Sequence, residues 1–126
     1  MEIALFATVC SREGWTREGN SATLLLPGGR HQRVQADLFE EDGEEILRLK
    51  SRVGPAAVLN EARLQSALRM NARLRFGAIA IDGEMLALVD TLLLREADAD
   101  ELRSSMLYLA RKADELERGL FGDDRQ

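Results

Sequence analysis

The stretch Met70-Asn71-Ala72-Arg73-Leu74-Arg75-Phe76-Gly77-Ala78-Ile79-Ala80-Ile81-Asp82-Gly83 decides the fold. Its first residues finish a helical pattern in which Leu64, Leu68 and Ala72 recur four apart, with Leu59, Ala62 and Ala67 flanking that side. Gly54-Pro55 opens that helix by this reading, with proline in the first turn, and Leu74 closes it. Phe76 to Asp82 is then a strand of small and branched apolar residues. Asp82-Gly83 is a tight hairpin dipeptide, and Met85 to Leu94 is the returning strand. A helix feeding an antiparallel pair places the chain in the α+β class.

Upstream, the same rules give three more strands. Ser21 to Leu26 stops at Pro27-Gly28-Gly29, a turn signal. Gln32 to Glu40 alternates, with Val34, Ala36 and Leu38 on one face and Arg33, Gln35, Asp37 and Phe39 on the other. Asp42-Gly43 turns the chain, and Glu45 to Val53 alternates again, Leu47, Leu49, Ser51 and Val53 opposing Ile46, Arg48, Lys50 and Arg52. Glu2 to Arg12 carries Ile3, Phe6 and Cys10 at helical spacing before Gly14, and Trp15 plugs the gap between that helix and the sheet.

Downstream, Asp98 and Glu101 form an N-terminal capping pair. Leu102, Met106, Leu109, Ala113 and Leu116 make one stripe, ended by Gly119 or Gly122. The expected order is α-β-β-β-α-β-β-α, an α+β sandwich with helices packed on a five-stranded antiparallel sheet. It forms one domain over residues 1–122, with 123–126 as a frayed tail.

Composition sets the outer limits. A chain of 126 residues with 45% hydrophobic content folds as one domain without staples. Cys10 is the only cysteine, so an internal disulfide is excluded and a reducing, cytoplasmic setting is expected. No apolar run approaches a membrane span, and the start lacks the pattern of a signal peptide. The net charge of −5 opposes general nucleic-acid binding. Every basic residue except Lys50 and Lys112 is arginine, a bias that follows from genome composition when the arginines are spread along the chain.

The order of elements and the Met70–Gly83 segment together resemble the YbjN-like branch of the type III secretion chaperone-like superfamily. Glu13-Gly14-Trp15 after the first helix, Ser51-Arg52-Val53-Gly54 at the end of the third strand, and the acidic start of the last helix add to the likeness. The resemblance implies a twisted antiparallel sheet with helices against it. It also implies a small acidic homodimer that holds an extended partner segment on apolar patches, by analogy of fold. It carries no catalytic motif.

The residues themselves point away from catalysis. His31 is the only histidine and reads as a strand-end residue; Cys10 reads as small core packing. Asp90, inside an apolar strand, marks a wet or partly covered position. No catalytic, cofactor or metal residue is assigned. The fifth strand is apolar on both faces, and Leu107 and Tyr108 lie off the stripe of the last helix. Leu86, Leu88, Leu92, Leu107 and Tyr108 are therefore expected to form a homodimer seam or a groove for a protein or peptide client. A free sheet edge offers a second route to an extended partner. On the opposite sheet face, Arg33, Arg48, Lys50 and Arg52 fall close together. They are expected to form either a solvated face or a dock for an acidic ligand. The leading expectation is a protein-binding, chaperone-like or adaptor homodimer. The competing one is a nucleic-acid or phosphate-binding regulatory module using the arginine face.

Overall fold

The computed structural model describes residues 2–122. The expected tail at 123–126 lies outside the described residues. Among the described residues, three α-helices and six strands follow one another: α1 (Ala4–Glu13), β1 (Thr16–Glu18), β2 (Ser21–Leu26), β3 (Arg30–Glu41), β4 (Glu44–Pro55), α2 (Glu61–Met70), β5 (Ala78–Asp82), β6 (Met85–Leu93) and α3 (Ala99–Leu120). The strands form one sheet in the order β1-β2-β3-β4-β6-β5. All neighbours in it are antiparallel.

The expected five-stranded sheet is thus corrected to six. The added strand, β1, is three exposed residues paired with β2 through Arg17 and Ala22. The boundaries around the second helix also move. Pro55 closes β4, opposite Met85, rather than opening a helix. The helix begins instead at Glu61, where the Asn60 side chain accepts from the Arg63 N–H at 2.8 Å. At its other end α2 tightens into a 3-10 turn over Asn71–Arg73, and Phe76 and Gly77 precede the strand rather than joining it.

The register sorts side chains onto two faces. Ala22, Leu24, Val34, Ala36, Leu47, Leu49, Val53, Leu86 and Leu88 are buried beneath the helices. The long helix α3 lies across this face and α1 packs beside it. Asp98 caps α3 by accepting from the Glu101 N–H at 2.8 Å, and Leu102, Met106, Leu109, Ala113 and Leu116 enter the core. Gly14 ends α1 in the left-handed conformation (φ 72°), which lets Trp15 fold back onto the core. Few polar groups enter this layer, and each is satisfied. Gln32 Nε2 donates to Ser51 Oγ (3.1 Å) and to the Arg52 carbonyl (2.7 Å), while Ser51 Oγ donates to the Arg33 carbonyl (2.7 Å). Among the described residues, no helix packs on the other face of the sheet.

α2 sits at the margin of the covered face, against β5. β5 is the outermost strand and pairs only with β6, through Ile79–Leu88 and Ile81–Leu86 among others. Those cross-strand pairs place Ile79 and Ile81 on the α2 side. This arrangement builds the first of two surface features.

Candidate functional site: an apolar edge groove and a basic sheet face

The groove lies between α2 and the edge strand. Leu64, Ala67 and Leu68 form one wall, Ile79, Ile81 and Leu86 the other, enclosing about 170 Å³. Leu68 is 63% exposed and Ile81 is 60% exposed. Isolated exposed apolar residues are ordinary, but these two face one another across a single depression.

The backbone beside the groove is half protected. Asn71 Oδ1 accepts from the Ile79 N–H at 2.6 Å, and its amide reaches the Ile79 carbonyl at 3.4 Å. Those groups of Ile79 therefore point away from β6. By the alternation of an antiparallel ladder, the N–H and C=O of Ile81 point outward too. Asn71 blunts one pair of edge groups and leaves the next pair open.

The seam expected from sequence does not form an exposed patch. Leu86, Leu88 and Tyr108 are buried in a single subunit, and Leu92 and Leu107 are partly buried and packed on the core. The reason is local to the segment between α2 and β5. It wraps the flank of α3, so that Tyr108 Oη accepts from the Arg75 N–H at 2.8 Å and the Phe76 ring meets the Tyr108 ring edge-on at 5.1 Å. Only Leu86 carries over into the observed groove.

The open sheet face is the second feature. Strand register brings Gln35 opposite Lys50 and Asp37 opposite Arg48; beyond the end of that ladder, Arg33 and Arg52 line one depression. All four basic residues singled out in the sequence lie on this face. Their surroundings separate them. Lys50 Nζ pairs with Asp82 at 2.6 Å, and that hydrogen bond, with the charges of Lys50 and Arg52, holds the Asp82 carboxyl below its usual pKa. Arg48 stacks over the Phe39 ring at 4.7 Å and reaches Thr91 Oγ1 at 3.4 Å. The Arg33 guanidinium donates to the Ser21 hydroxyl, at 3.1 Å. Among the described residues, neither Arg33 nor Arg52 has a carboxylate partner.

The residues weighed for chemistry occupy quiet positions. Cys10 is buried in the core, and burial pushes its thiol pKa up, away from the reactive thiolate. His31 is an exposed residue of β3, paired with Leu25. Asp90 is half-buried on the helix side of the sheet; burial raises its carboxyl pKa, against the opposing hydrogen bonds from Ser105 and the Thr91 N–H. Among the described residues, no group of three His, Cys, Asp or Glu side chains is placed to hold a metal ion. None of the described helices is long and apolar enough to cross a membrane.

The family whose description reads "YbjN: Putative bacterial sensory transduction regulator" matches residues 2–120 of this chain. The chain belongs to the YbjN family. No curated protein matches it. Solved structures share its fold at low identity. A chain of the ExsC–ExsE complex superposes with a TM-score of 0.65 and 19% identity, over 95% of this chain and 97% of that one. A chain of the HopA1–SchA chaperone–effector complex gives 0.60 and 9% identity, over 91% of each. A chain of the heterodimeric ExoU–SpcU complex, from the type III secretion system of Pseudomonas aeruginosa, gives 0.53 and 21% identity, over 90% and 95%. This YbjN domain therefore shares its α+β fold with chains of these three complexes.

Proposed function

We propose that this YbjN domain is a non-catalytic, chaperone-like protein-binding module that acts as a homodimer. The observation that carries the reading is the apolar groove between α2 and β5, where Leu68 and Ile81 stand exposed beside the unprotected edge groups of Ile81. A second copy matches such a surface on both counts. Two-fold symmetry would set each Leu68–Ile81 pair against its equivalent, and each Ile81 edge toward the other. The fold shared with a chain of a complex described as a chaperone–effector pair, and with chains of two further protein complexes, supports protein binding as the task. Self-association leaves the open sheet face free for a client.

Hydrogen–deuterium exchange tests the location of the seam. The Ile81 amide should exchange more slowly at high protein concentration than at high dilution, while β1 at the opposite edge keeps one rate. Equal rates for Ile81 at both concentrations would remove α2 and β5 from the interface.

A further inference from the structure

We propose that the cleft between Arg33 and Arg52 on the open sheet face binds an extended, carboxylate-bearing segment of a protein partner. The proposal rests on the protein-binding reading but uses a different surface from the dimer groove. Arg33 and Arg52 line one depression from adjacent strands, neither forms an ion pair among the described residues, and Asp82 is already paired with Lys50. An anion from outside would supply the partner that both arginines lack. A planar guanidinium fork fits a carboxylate through two parallel hydrogen bonds.

The cleft has walls as well as charge. The ladder between β4 and β6 shifts register between Arg52 and Gly54, and both residues line a depression of about 370 Å³. Pro55 and Met85 line one side, and His31, Gln35 and Lys50 add donors around the two arginines. The Gln32 amide is held by Ser51 and the Arg52 carbonyl, which fixes the strand positions beneath. Glu117 of α3 also lines the depression, and its charge acts on Arg30.

Charge decides the class of ligand. The chain is acidic overall, at −5, so a long phosphate backbone would meet repulsion on either side of so small a basic spot. A short peptide that alternates acidic and apolar residues meets the arginines with one set of side chains. It meets Met85 and Pro55 with the other.

Fluorescence anisotropy of the intact chain tests this with three labelled probes. One is an extended peptide alternating Glu and Leu, the second is its Gln counterpart, and the third is a single-stranded oligonucleotide of equal charge. The Glu peptide should bind most tightly, weaken with salt, and lose affinity by about tenfold or more in Arg33→Gln/Arg52→Gln. The charge-matched control Arg12→Gln/Arg111→Gln should bind as wild type. Equal binding of the Glu and Gln peptides, equal loss in both double variants, or tighter binding of the oligonucleotide would overturn the proposal. The dimer reading is judged separately, because neither double variant touches the groove and both should keep the wild-type mass.

Discussion

Arg30, at the start of β3, donates to both carboxylate oxygens of Asp114 on α3, from Nε at 2.9 Å to each and from Nη2 at 2.7 Å to Oδ1. The Asp114 side chain is only 6% exposed, whereas Arg30 keeps 40% of its surface in water. The pair fastens the long helix to the sheet near the basic cleft. Arg118, one turn further along α3, adds a longer contact at 3.4 Å.

Asp114→Asn should lower stability by about 2 kcal/mol at neutral pH, because charge-assisted hydrogen bonds are lost from a buried position. The Arg30 hydrogen bonds hold the folded Asp114 pKa below that of the unfolded chain. Its contribution is therefore complete above the unfolded carboxylate value, near ~4, and fades as pH falls through the depressed folded value. Urea melts should show the gap between wild type and variant closing below pH ~4. A gap that stays constant into acid would refute the assignment.

Asp90 has the opposite sign. Burial raises its folded pKa, so the ionised carboxylate opposes folding at neutral pH and that penalty lifts as pH falls through the raised value. Asp90→Asn keeps a polar group beside Ser105 without the charge. Its melting temperature should exceed that of wild type at pH 7 and converge with it in acid.

Gly77 has a φ of 72°, and an added Cβ would run into the Val89 carbonyl oxygen. Gly77→Ala should cost roughly 2–4 kcal/mol, combining left-handed strain with displacement of β6 backbone. Calorimetry that finds Gly77→Ala as stable as wild type would show that this close approach is absent.

Tyr108→Phe removes the acceptor for the Arg75 N–H and nothing from the outer surface. It should cost about 1 kcal/mol in a chemical melt while leaving the assembly mass unchanged. A change in mass would restore Tyr108 to an interface.

The contrast between Tyr108 and Leu68 shows where sequence reading succeeds and where it stops. The cap and stripe of α3 are local, so Asp98, Glu101 and Leu102 through Leu116 reveal the helix directly. Thr16–Glu18 is three polar, exposed residues with no alternation, and only pairing with β2 makes it a strand. Pro55 is equally at home in a first helical turn or at a strand end, and its partner Met85 decides between them. Leu68 belongs to a helical stripe that reads as inward-facing, yet α2 overhangs the sheet margin and leaves it exposed. Tyr108 lies off its stripe and reads as outward-facing, until Phe76 and Arg75 close over it. Burial beyond the main stripe depends on a segment distant in sequence. The basic face was legible from alternation and turn position. That Asp82, on another hairpin, pairs with Lys50, while among the described residues neither Arg33 nor Arg52 forms an ion pair, was not.

Light scattering coupled to size-exclusion chromatography, at micromolar concentration, measures whether two copies of this chain bury the Leu68–Ile81 groove. The wild type should give about twice the 14.0 kDa chain mass, and Leu68→Asp/Ile81→Lys should give the single-chain mass with an unchanged far-ultraviolet spectrum. A wild type of 14.0 kDa, or a double variant that still runs as a dimer, would contradict the account.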